Sequence, residues 1–178
     1  MRFYEIDPAV VKLATVGGLF HFIGDSKADC EFVIGDARVS LAKEGNGTFG
    51  AIVLDAFSSD AVPVHLLTRE ALGVYLSKLR PGGVLALHVS NRYLDLERVV
   101  AGVAGAHGLV GAIRDDSVPE EESKQALHWS STWIVLAREK GDLTPILSQR
   151  GWQELPMKGT GRVWTDDYSS VLGVFEGF

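Results

Sequence analysis

Four short apolar runs in this chain each stop at a polar group. Glu5 and Asp7 end the run from Arg2 to Ile6, Asp36 follows Glu31 to Ile34, Asp55 follows Ala51 to Leu54, and Ser90 and Asn91 follow Val84 to Val89. A carboxylate accepts two hydroxyl hydrogen bonds well, so an acid in such a place suits the diol of a ribose. It also suits an adenine amino group or a cationic substrate, from which it can take a proton. Taken singly, each acid reads more simply as a helix N-cap or a first-turn charge. Three acids at the same edge of one sheet read as a site.

The elements that would position these groups alternate. Arg2 to Ile6 reads as a strand, and Pro8 then opens a helix to about Ala14, where its missing N–H costs nothing. Glu31 to Ile34 is a second strand, followed by a helix through Ala42. Ala51 to Leu54 is a third, and its nearly unbroken apolar character predicts burial on both faces. Thr68 caps a helix through Leu79, and Pro81-Gly82-Gly83 turns the chain into the strand Val84 to Val89. Asp95 opens the helix Leu96 to Ala106. Strands near Val110 to Arg114 and Thr132 to Ala137 follow, separated by a polar loop at Ser117 to Gln125, and Asp142 to Gln149 is a short helix. The expectation is one α/β domain over residues 1–178: a doubly wound, mostly parallel sheet with helices on both faces. Ligands of such sheets bind at the carboxyl ends of the strands, where the acids lie.

Composition narrows the function. The 178 residues are 46% hydrophobic and 22% charged, a soluble globular balance, and they carry a net charge of -6. That charge argues against nucleic acid, whose phosphates need a surplus of Lys and Arg. The single cysteine, Cys30, cannot form an internal disulfide, and its acidic neighbours disfavour a nucleophilic thiolate. No apolar run approaches the roughly 18 residues of a membrane span, and the first residues have no signal-peptide pattern. A cytoplasmic protein is the expectation. The histidines show no metal-ligand spacing with one another or with Cys30, so no metal is expected.

The segments "FYEIDPAVVKLA", "VIGDARVSLA", "FGAIVLDAFSSDAVPVHLLTREAL", "LRPGGVLALHVSNRYLDL" and "VWTDDYSS" resemble the spermidine synthase family, most closely its bacterial branch often fused to transporter-like membrane segments. The resemblance is in register over most of the chain. It implies the Rossmann-like fold of S-adenosylmethionine-dependent methyltransferases. It also implies transfer of an aminopropyl group from decarboxylated S-adenosylmethionine to a diamine such as putrescine. By the same resemblance Glu5 holds the ribose hydroxyls with Asp7 beside it, Asp36 and Ala37 lie against the adenine, and Asp55 is the catalytic acid. Because the donor's sulfonium is already a good leaving group, the chemistry needs an acid to bind the diamine, orient it and take its proton. A second acid should hold the far ammonium: Asp60 first, with Asp166 and Asp167 behind it. Tyr93 and Tyr168 are candidates to line and close the acceptor pocket. The family forms oligomers and unpaired strands invite pairing, so a homodimer is among the expected assemblies.

Two departures qualify this. Family domains begin with a central strand and a glycine-rich loop, and here the register starts at the next strand. Gly45-Asn46-Gly47-Thr48-Phe49-Gly50 spells the right glycine pattern, but it precedes a strand and no helix follows, so it reads as a surface turn. Family members also carry two acids as in D-S-S-D-P, whereas Asp55 and Asp60 lie five positions apart. His88, within an apolar strand, reads as a buried, hydrogen-bonded core histidine. The rival functions are an S-adenosylmethionine-dependent methyltransferase on the same fold and a non-catalytic fragment of a longer protein.

Overall fold

The structure is a computed structural model that describes residues 1–16, 20–56, 63–91, 93–118, 130–157 and 162–175. The chain divides into two compact units, Met1–Gly45 and Asn46–Phe178.

In the first unit, β1 (Arg2–Glu5) pairs parallel with β2 (Glu31–Ile34), with Glu5 opposite Ile34. Each strand leads into a helix: α1 (Pro8–Thr15) after β1 and α2 (Ala37–Ala42) after β2. Both helices start as the sequence dictates. Asp7 accepts from the N–H of Ala9 with proline in the first turn, and Asp36 accepts from the N–H of Val39. Phe3 and Phe32, paired in register, stack with centroids 5.1 Å apart. At the amino end of the strands, Arg2 bonds Glu31 and Glu44, and the Tyr4 hydroxyl donates to Glu44 at 2.9 Å.

Partial burial, then the neighbouring Glu44 carboxylate, push the Tyr4 hydroxyl up to about 12 from 10.0. A raised folded-state value means that stability is fully present below the ordinary tyrosine range and is lost as pH rises through about 12. Tyr4→Phe is therefore expected to lower stability at neutral pH, by removing the hydroxyl's bond to Glu44, and to flatten the alkaline limb of a denaturation-midpoint profile. An unaltered limb would show that Tyr4 does not couple to folding.

The second unit is a five-stranded sheet in the order β3-β4-β6-β5-β7. Its strands are β3 (Phe49–Leu54), β4 (Leu79–His88), β5 (Val110–Asp116), β6 (Ser131–Ala137) and β7 (Gln153–Glu154). β3 and β4 run parallel, while β6 lies antiparallel between β4 and β5 and so leaves β3, β4 and β5 pointing one way. Two helices follow strand ends, α3 (Arg69–Lys78) and α4 (Leu96–Ala106). A 3-10 turn at Lys140–Leu143 runs into the short α5 (Thr144–Leu147) in place of one continuous helix, because Pro145 suits a first turn.

Register sorts the side chains onto two faces. Leu85 pairs with Leu136 and Leu87 with Ile134; all four are buried, as are Leu72 and Tyr75 of α3 and Val99, Val100 and Val103 of α4. The other face carries Val84, Ala86, Ala112, Val135 and Ala137, packed with Leu143, Ile146, Leu147 and Trp152. This second cover does not reach β3. Ala51 is exposed and Val53 is 61% exposed, so β3 is not buried on both faces as its apolar run predicts. Burial of a strand depends on what packs over it, and among the described residues β3 is an edge strand of this sheet, paired with β4.

The Pro81-Gly82-Gly83 turn also lies elsewhere than expected, inside β4. Phe49 faces Leu79 and Ala51 faces Val84, so the extra residues form a bulge against β3. Gly82 has φ +73, and a Cβ on Gly83 would stand 2.9 Å from the Arg80 carbonyl oxygen, so both positions need glycine. The earlier glycine cluster forms the surface turn expected of it: Gly47, at φ +66, donates its N–H to Ser77, and β3 follows with no helix between. No helix among the described residues is long and apolar enough to cross a membrane.

Candidate functional site

Within the first unit the parallel pair brings Glu5 and Asp36 to the carboxyl ends of adjacent strands. Gly35 donates its N–H to the Glu5 carbonyl at 2.9 Å, which ties the two strand ends together. The half-buried Glu5 accepts at Oε1 from the N–H of Asp7 at 2.9 Å, so the side chain is held at the strand end. Asp7 and Asp36 each spend Oδ1 on a helix N-terminus, both at 2.8 Å. The cap reading of these two acids is thus realised, and Glu5 is the acid whose side chain no helix claims. Ala37 is the first residue of α2, next to Asp36, and its N-terminal position presents a partial positive charge at the same edge.

In the second unit Asp55 stands immediately beyond β3. Register places it beside the end of β4, because Val53 pairs with Ala86 and the next residues on that face are Asp55 and His88. Asp55 Oδ1 lies 2.8 Å from His88 Nδ1, within hydrogen-bond reach. His88 Nε2 lies 2.7 Å from the Ser90 hydroxyl, and that hydroxyl oxygen accepts from the N–H of Thr132 at 2.7 Å. The His88 ring stacks on Trp133, its partner on β6, with centroids 4.9 Å apart and planes 19° from parallel. The Asp55 side chain is 60% exposed and that of His88 is 23% exposed. The result is a carboxylate open to solvent, anchored through one oxygen to an imidazole that is itself held on three sides.

The chain's last described segment returns to the end of this unit where α3 and α4 begin. Thr68, the N-cap of α3, accepts from the N–H of Ala71 and donates its hydroxyl to Asp166 at 2.7 Å. Glu70 accepts from the N–H of Asp166 at 3.0 Å, and Arg69 donates its N–H to the Trp164 carbonyl. The Glu70 carboxyl sits below its ordinary value, chiefly through its own backbone N–H against an opposing desolvation, with Arg69 and the Asp166 N–H adding to the effect. Thr165 and Tyr168 bridge to each other across a tight turn that carries the exposed Asp167. The Arg162 guanidinium lies 4.1 Å from the centre of the Tyr168 ring. Asp166 is thus engaged in holding the tail, and Tyr168 carries a cation of its own chain. After β4, Asn91 accepts from the N–H groups of Tyr93 and Leu94, which leaves the Tyr93 side chain exposed ahead of Asp95, the cap of α4.

Asp60 lies outside the described residues, as do His128, Trp129, most of the acidic loop and the second glycine pair at 159–161. Among the described residues no group of three or more His, Cys, Asp and Glu is placed to hold a metal. The residue that sequence reasoning undervalued is His88. Its signal was register: once β3 and β4 pair in parallel, the alternation that buries Leu85 and Leu87 turns His88 to the face that carries Asp55.

No family model matches the chain. It is 28% identical over 129 residues to a polyamine aminopropyltransferase of Vibrio vulnificus strain CMCP6, a match covering 71% of this chain and 41% of that protein. Its fold is that of the spermidine synthases. A probable spermidine synthase from Corynebacterium glutamicum superposes with a TM-score of 0.61 at 14% identity, covering 95% of this chain and 64% of that one. The spermidine synthase of Thermotoga maritima does so at 0.55 and 14% identity, covering 98% and 56%. The match therefore covers under half of the curated relative and somewhat over half of the solved structures.

Proposed function

From the relationship of this chain to the polyamine aminopropyltransferases, we propose that it carries the nucleoside-facing acids and the catalytic carboxylate of such an enzyme, within a single family domain to which both compact units belong. The donor is decarboxylated S-adenosylmethionine and the acceptor a diamine such as putrescine. The observation that carries the reading is Asp55: a solvent-facing carboxylate at the carboxyl end of a parallel strand, fixed through one oxygen and with the other available.

The residues fit the parts of the reaction. Glu5, steadied at Oε1 by the N–H of Asp7, offers Oε2 to the ribose hydroxyls. Asp36 and Ala37 border the adenine, and the start of α2 favours the electron-rich ring nitrogens. Asp55 binds the diamine's ammonium and removes one proton. The freed lone pair attacks the propyl carbon, and the C–S bond breaks with its electrons returning to sulfur. Asp60 and Asp167 are the acids that would hold the far ammonium, with Tyr93 and Tyr168 bordering the acceptor. The setting is cytoplasmic, the partners are small molecules, and a homodimer is the assembly to look for.

Calorimetric titration with decarboxylated S-adenosylmethionine, with S-adenosylmethionine alongside, tests the reading. Tighter binding of the decarboxylated donor supports aminopropyl transfer, and preference for the carboxylated form points to a methyltransferase. A folded chain that binds neither overturns both readings. Glu5→Gln keeps one acceptor but removes the charge, and is expected to weaken donor binding by roughly 10- to 100-fold, the scale of a charge-assisted hydrogen bond. Unchanged affinity would remove Glu5 from the site.

A further inference from the structure

The polar array behind Asp55 has a direction. An ionised carboxylate only accepts hydrogen bonds, so beside Asp55 Oδ1 at 2.8 Å the His88 proton belongs on Nδ1. At the far side of the ring the Ser90 hydroxyl, whose oxygen accepts from the Thr132 N–H, lies 2.7 Å from His88 Nε2 and can donate its one proton there. The carboxylate thus selects the tautomer protonated on Nδ1, and Ser90 can satisfy it at Nε2. The stack on Trp133 keeps the ring from turning out of this line. Asp, His and Ser occur here in the order of a nucleophilic relay, but the backbone amide on Ser90 makes that serine an anchor.

We infer that His88 is a positioning residue for the proposed transfer, holding Asp55 Oδ1 so that Oδ2 alone takes the proton from the diamine. This deepens the reading above and rests on it. A free carboxylate turns about its own axis and offers either oxygen, whereas one tied through Oδ1 presents a single basic atom at a fixed angle. The proton leaves the ammonium for Oδ2, the nitrogen attacks carbon, and His88 keeps its own proton on Nδ1 throughout. Ser90 and Trp133 act at one remove, by fixing the ring.

The test uses the chain as it stands, labelled with nitrogen-15, together with the variants His88→Ala and His88→Gln. The long-range nitrogen–proton spectrum of the unsubstituted chain should show His88 protonated on Nδ1, and Asp55→Ala should mix the tautomers. His88→Ala should lower kcat by about 10- to 100-fold, the cost of a misplaced reacting group, with KM for the diamine little changed. His88→Gln, whose amide N–H can reach Oδ1 while its carbonyl accepts from Ser90, should restore kcat to within a few fold. The inference is overturned by an Nε2-protonated ring, by a folded glutamine variant as impaired as the alanine variant, or by a loss confined to KM. Absence of turnover in the unsubstituted chain overturns the transfer reading and this inference with it. Turnover that ignores His88 overturns the inference alone.

Discussion

Asp55→Asn is expected to lower aminopropyl transfer by about 10²- to 10⁴-fold, the range that a positioned general base contributes. Asparagine preserves the shape of the side chain, and its amide oxygen still accepts from His88 Nδ1. What it loses is the charge that attracts the diamine and the basic oxygen that takes its proton. The effect should fall mainly on kcat, with some rise in KM from the lost charge. The fold should survive, because the side chain is 60% exposed. Circular dichroism and a denaturation midpoint close to that of the unsubstituted chain would confirm this. A variant that keeps near-full activity would show that the base lies elsewhere, and a relic without activity would show no difference between the two proteins.

Leu87→Ala acts on the opposite side of the same strand and should be the most destabilising of the changes considered. Leu87 is fully buried and pairs with Ile134, also fully buried. Truncating such a leucine removes its transfer free energy and leaves a cavity, together about 2–5 kcal/mol. A domain of this kind has only about 5–15 kcal/mol in total, so the loss is a large share of it. Chemical denaturation should show a lower midpoint with an unchanged slope. A loss below about 1 kcal/mol would mean that α3 and α4 close over the gap. Because Leu87 adjoins His88 along β4, any accompanying fall in activity must be separated from unfolding by assaying well below the midpoint.

Much of this was legible because local rules and tertiary structure agree. Asp7, Asp36, Thr68 and Asp95 each cap a helix at the position their type predicts. The bounds of β2, α2 and α4 follow from apolar period and caps alone. Less legible was anything that depends on who packs against whom. The run from Ala51 to Leu54 looks the same in an edge strand as in a central one, and only the topology leaves Val53 exposed. The bulge at Pro81 to Gly83 lets β4 pair with β3 on both sides of it, which no turn propensity encodes. At the site, the acids stood out by type and position, but their commitments did not. That Asp166 serves Thr68 depends on contacts between residues 98 positions apart. That His88 serves Asp55 depends on a strand pairing 33 positions apart.

The antiparallel strand β6 has a consequence for the order in which this protein takes shape during synthesis. β5 pairs with β6 and β7, and both emerge from the ribosome after it. A nascent chain that has reached Asp116 can join β3 to β4 and dock α3, but β5 has no strand to add to. The sheet is completed only when β6 arrives to slot between β4 and β5, a non-local closure of the kind that slows folding. Until then β5 is a strand with two unsatisfied edges, a form in which a partly made protein readily aggregates or engages a chaperone.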